Sequence, residues 1–221
     1  MKIKTMSTIL ATMLVLVGCK TSIETQVAIS ELLEGQTKVI PGNLYVEVAG
    51  CKDYRDTTQP SSSLLDVQAA IRSVFPDSKY VECFRKDYDS FASFRVPIYL
   101  DKTLDGKPAS PDHINLVSNE SVLLWVVIPE QVKRRMGVEK GKDKPKLDME
   151  IKIKVVNDTG ADFAFDAVST FIDNSPAVYS SRSVAKDTAF VLRLSDVSIQ
   201  AALTGGGSPV LYLPAGNQHN Q

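Results

Sequence analysis

The chain has 221 residues, 43% of them hydrophobic, 23% charged and 7% aromatic, which excludes a disordered protein and fits a folded chain with one large core or two small ones. Its 25 basic and 26 acidic side chains give a net charge of −1 with no block of one sign, so nothing in the balance points to nucleic acid. With 3 cysteines, no CxxC spacing and 2 histidines, it lacks the ligands of a zinc set.

The start, Met1-Lys2-Ile3-Lys4, is basic, and Met6 to Val17 is apolar or small. That run is shorter than the roughly 20 residues a membrane span requires. It closes on Leu16-Val17-Gly18-Cys19, which resembles the lipobox of bacterial lipoproteins. The resemblance implies transfer of diacylglycerol to the Cys19 thiol, cleavage between Gly18 and Cys19, and acylation of the new amino group. Residues 1–18 are then a signal peptide and are lost; removing Lys2 and Lys4 leaves 23 basic against 26 acidic side chains. It also implies a cell-envelope protein that is anchored to a membrane through lipid and does not cross it. Enteric bacteria retain lipoproteins in the inner membrane by an aspartate after the lipidated cysteine. Here Lys20 holds that place, which favours the outer membrane, facing the periplasm. In that oxidising compartment Cys51 and Cys83 are expected to form a disulfide, closing a loop of about 33 residues and contributing roughly 3.5 to 4 kcal/mol in the chain-entropy model.

Downstream the dominant period is two. Ile23, Thr25, Val27 and Ile29 alternate with polar or small residues and predict a strand starting almost at the lipid, after which Ser30 caps a short turn of helix, Glu31 to Glu34. The chain is extended from Thr37, and Asn43 to Cys51 alternates again. Ser63 and Asp66 resemble a capping box, and Leu64, Val67, Ile71 and Val74 form one helical stripe that Pro76 ends. Lys79 to Arg85 and Phe91 to Leu100 predict a hairpin through Asp87-Tyr88-Asp89-Ser90, with Pro97 marking an edge or an outward amide. Val122 to Ile128 is an unbroken apolar run and reads as a central strand; Pro129 then opens a short helix to Met136. Leu147 to Val155 is the cleanest alternation in the chain. The turn Asn157-Asp158-Thr159-Gly160 joins it to Phe163 to Ala167, and strands at Thr188 to Ser195 and Pro209 to Leu213 flank a short helix that Ser195 caps.

These elements predict an α+β fold, predominantly antiparallel β. An N-terminal strand-helix-hairpin unit with the disulfide spans 19–110. A mainly β, sandwich-like unit resembling the immunoglobulin arrangement spans 111–214, and a flexible tail follows at 215–221.

Few chemical constellations pass a spacing test. Asp101, Thr103, Asp105 and Asp112, with Gly106, have the spacing of an EF-hand calcium loop, the one cofactor the sequence suggests. Against it stand Pro108, two lysines inside the loop and flanking strands in place of helices; a solvated Asp/Gly/Pro turn accounts for the same residues. Ser183-Val184-Ala185-Lys186 has the SxxK spacing of penicillin-binding enzymes but lacks the KTG and SDN partners. No GxSxG elbow accompanies His113 or His219, and Gly205-Gly206-Gly207-Ser208 lacks the lysine of a phosphate loop. Lys133, Arg134, Arg135, Lys140, Lys142, Lys144 and Lys146 form a basic cluster that is either a solvated loop or a contact for an envelope protein or an anionic envelope component.

Three kinds of function remain open. The patterning and the lack of a recognisable catalytic set favour a membrane-anchored, non-catalytic binding or scaffold domain. The alternatives are an exclusion or defence lipoprotein of the type by which phages and plasmids block an envelope receptor, and an envelope enzyme with an unrecognised site. The chain is similar to uncharacterised lipoproteins of enteric bacteria and of their mobile elements, a resemblance carried by the lipobox alone.

Overall fold

The computed structural model describes residues 20–34, 36–102, 108–138 and 148–214. Among them eleven strands and four helices follow in the order β1 (Thr21–Ala28), α1 (Ile29–Glu34), β2 (Lys38–Val48), α2 (Ser62–Val74), β3 (Lys79–Lys86), β4 (Asp89–Lys102), β5 (Ile114–Ser118), β6 (Val122–Val127), α3 (Glu130–Arg135), β7 (Met149–Val156), β8 (Phe163–Ile172), β9 (Ser175–Val184), β10 (Ala189–Leu194), α4 (Asp196–Thr204) and β11 (Ser208–Tyr212).

The expected strand-helix-hairpin unit followed by a sandwich is not what forms. The fold is mostly β, and nine strands close into one barrel in the order β10-β7-β1-β2-β4-β5-β6-β11-β8, with β8 returning to β10. The reason is pairing that period two cannot reveal. Alternation shows which face of a strand is buried, not which strand lies beside it. Here β1 lies between β2, antiparallel, and β7, parallel, so Ile23 faces Leu44 on one side and Ile151 on the other. A second parallel pair, β4 with β5, joins the two halves again.

Two long strands make closure possible. β4 pairs with β2 along its length, while its other edge takes β3 over its first half and β5 from Ile98 onward. Pro97 falls at the break between those two partners, where no ladder bond is lost. β8 gives one edge to β9; the other takes β11 at Asp166 and Ala167 and β10 from Thr170 to Ile172. Ser169 between them has φ 51, a left-handed residue that turns the strand from one neighbour to the next.

The inward residues fill the barrel, as they do in small barrels generally. Ile23, Leu44, Phe94, Ile98, Leu116, Leu124 and Phe165 are each fully buried in one continuous core. Helix α1 buries Ile29 and Leu32 at one mouth, where Ser118 Oγ and Lys102 Nζ donate to the carbonyls of Leu32 and Leu33. Helix α4 sits at the opposite end and buries Ile199, Ala202 and Leu203. Outside, α2 lays its Leu64, Val67, Ile71 and Val74 stripe against β2, β3 and β4; its cap is Ser61, which accepts from the Leu64 amide, two residues before the expected Ser63. The Cys51–Cys83 disulfide forms, with 5.6 Å between Cα atoms, and staples the segment after β2 to β3.

Candidate functional site

Lys20, the first described residue, is already hydrogen-bonded to the barrel. Its amide donates to Glu47 Oε2, its carbonyl accepts from the Glu47 amide at 2.9 Å, and its Nζ pairs with Asp89 at 2.9 Å, while the Thr21 amide donates to the Asp148 carbonyl. The hydrogen bond to Asp89 raises the Lys20 pKa.

Beside this start opens a cleft of about 640 Å³. Its floor is the outward face of β7, β1 and β2. Alternation places Ser22 and Glu24, Tyr45, and Glu150 and Lys152 on that face, and the register sets Ser22 between Tyr45 and Glu150. The Ser22 Oγ is buried in the floor without a hydrogen-bond partner. One wall is aromatic: Phe84 meets Tyr45 edge-on and stacks on Phe91, each at 6.0 Å. The other side carries a ladder of alternating charge. Lys152 reaches Glu150 at 2.6 Å and Glu24 at 3.5 Å, and Arg193 reaches Glu150 at 3.7 Å while covering the Phe171 ring. Burial lowers the Lys152 pKa, but the hydrogen bond and charge of Glu150, reinforced by Glu24, outweigh it and leave the group raised. Burial, then the Glu24 carboxylate, pushes the Tyr45 hydroxyl up. Every charge on the ladder has its counterion in place, so the cleft offers planar apolar contact beside fixed polar groups.

The residues singled out in the sequence are dispersed. Cys19 lies outside the described residues, as do Thr103, Asp105, Lys140, Lys142, Lys144 and His219. Of the calcium-like set, Asp101 accepts a hydrogen bond from Thr37 Oγ1, and Asp112 is paired with Arg135. Among the described residues no group of three or more His, Cys, Asp or Glu is placed to hold a metal. The basic cluster divides. Lys133 is buried, its Nζ donating to Glu130 and to the Gly205 carbonyl, and Arg135 donates to the Val74 carbonyl as well as to Asp112; Arg134 alone of the three is exposed.

One convergence has no sequence motif. Ser110 Oγ lies 2.7 Å from His113 Nδ1, and His113 Nε2 lies 2.9 Å from Asp77 Oδ2, the residue types of a hydrolase triad. Accessibility runs the wrong way for nucleophilic attack. The serine is 6% exposed and buried with the histidine, while the Asp77 side chain is 68% exposed. Fully buried Asn115 accepts from the Ser110 amide and donates to the Ser110 and His113 carbonyls. The set therefore fastens the segment before β5 to the end of α2. Only the spacing Ser110, His113, Asn115 hints at it, and Asp77 is supplied by the fold.

No helix among the described residues is long and apolar enough to cross a membrane. No curated protein matches the chain, and no solved structure does. A family profile described as a domain of unknown function, DUF7424, matches residues 21–217, a span that opens at the first residue of β1 and takes in all eleven described strands. The chain accordingly belongs to the DUF7424 family.

Proposed function

We propose that this protein is a non-catalytic binding domain of the bacterial envelope, held through lipid on Cys19 at the periplasmic face of the outer membrane, and that the cleft beside Lys20 is its recognition site. The observation that carries the reading is the position of the first strand. The lipobox-like run ends at Cys19, and the next residue, Lys20, is the first described and is already hydrogen-bonded to the barrel. A signal peptide cleaved before Cys19 would leave the barrel whole, with its cleft against the anchor. The closed ion pairs of the cleft and the buried Oγ of Ser110 support binding over catalysis. The partner this chemistry fits is an envelope component with an apolar or planar group flanked by polar ones.

A photo-crosslinking side chain at Tyr45, on the cleft floor, tests the reading in intact cells against the same group at Tyr179 on β9. The proposal expects a discrete adduct at position 45 that is absent at 179 and is lost when Cys19→Ser releases the protein from the membrane. Equal labelling at both positions, or none at 45, contradicts it.

A further inference from the structure

If Cys19 carries the lipid, one peptide unit separates the anchor from a residue already fastened to the barrel, and consecutive Cα atoms are 3.8 Å apart, a covalent constant. Slack of the kind a flexible linker provides is missing, so the surface around Lys20 has to meet the bilayer. The part of that surface held by the Lys20 side chain is the turn between β3 and β4. Lys20 Nζ holds Asp89, the residue next to Tyr88, and Tyr88 is 92% exposed, more so than any other large apolar or aromatic side chain described. Asp87 before it has φ 54, the left-handed conformation that makes the turn tight and sets Tyr88 at its tip. A tyrosine held in water by a two-residue turn has no packing role. Its ring and hydroxyl suit the boundary between headgroups and acyl chains, where tyrosine is enriched.

We propose that the β3–β4 turn is a membrane-docking element that seats Tyr88 in the interfacial layer of a phospholipid bilayer beside the Cys19 anchor and so fixes the orientation of the barrel. This rests on the lipid-anchor reading above. The charges identify the kind of surface. Lys20 is neutralised by Asp89, and Lys86 and Asp87, adjacent where the chain enters the turn, carry opposite signs. The turn and Lys20 together are neutral, and Glu47 and Asp148 beside Lys20 add negative charge, so the surface fits zwitterionic lipid and gains nothing from anionic lipid. Docking therefore persists at about 1 M salt, where charges are screened beyond about 3 Å. The turn supplies orientation; attachment comes from the acyl chains.

The test uses full-length lipidated protein in phosphatidylcholine vesicles containing brominated acyl chains, which quench tryptophan on contact. Wild type, with Trp125 as its one tryptophan, gives the baseline. Tyr88→Trp should show a blue shift and loss of emission on vesicle binding, unchanged at high salt, while Tyr179→Trp, also at an exposed site, should show neither. Vesicle-bound Tyr88→Trp whose emission stays unquenched overturns the docking proposal and leaves the anchor standing. Quenching that vanishes with salt overturns the neutral-surface argument. Protein that carries no acyl group and stays off the vesicles removes both readings together.

Discussion

Among single residues, Asp158 shows how a turn residue serves the barrel. It lies in the turn after β7, and the backbone amide and hydroxyl of Ser30, at the start of α1, both donate to its carboxylate. Burial pushes its pKa up, but those hydrogen bonds outweigh burial and hold it below the ordinary aspartate value. A depressed carboxylate contributes stability that is fully present above the ordinary value and is lost as pH falls through the folded one. Because the carboxylate is exposed and its contacts are screened by solvent, Asp158→Ala should be less stable than wild type at neutral pH by only about 0.5 kcal/mol, with the gap closing below about pH 4. Urea titrations at several pH values measure this, and a gap that persists at low pH contradicts the assignment. The turn itself was legible from Asn157-Asp158-Thr159-Gly160. The partner was not, since Ser30 is 128 residues away.

At the scale of elements, strands with one wet face were readable and strands without that contrast were not. β7 alternates Met149, Ile151, Ile153 and Val155 with polar residues and was anticipated nearly to its ends. β9 has only Ala177 and Val184 buried, because it hangs on β8 outside the ring, and its sequence gives no alternation to follow. β2 runs unbroken from Lys38 to Val48 through Pro41-Gly42, a pair that looks like a break. A Cβ on Gly42 would lie 2.6 Å from Ile98 Cδ1, so the glycine is where the neighbouring side chain crosses close to the backbone. The disulfide was legible because reading Cys19 as the lipid attachment site left one pairing. It closes a separation of 32 residues around α2, and replacing both cysteines by alanine should lower stability by roughly 3 to 4 kcal/mol if the barrel is otherwise unchanged. Denaturant unfolding of the double variant measures it; a change within error would mean the staple adds nothing to the fold.

For the whole molecule, what escaped the sequence is closure. The parallel pairing of β1 with β7 and the return of β8 to β10 join segments that local patterns describe separately. A ring has no independent half, so calorimetry should record one cooperative unfolding transition, and a fragment ending at residue 110 should lack stable tertiary structure because β1 would lose β7 and β4 would lose β5. Two resolved transitions, or a folded fragment, contradict the barrel as one cooperative unit. The candidate site escaped for the same reason, since its floor joins β1 and β2 to β7 across the parallel seam. The central proposal is a barrel held by lipid on Cys19, two residues before its first strand, and the most direct test is mass spectrometry of the N-terminal peptide from protein extracted from membranes. The account predicts a peptide that begins at Cys19 and carries diacylglyceryl and amide-linked acyl mass. A mature peptide beginning elsewhere, or an unmodified Cys19, contradicts it.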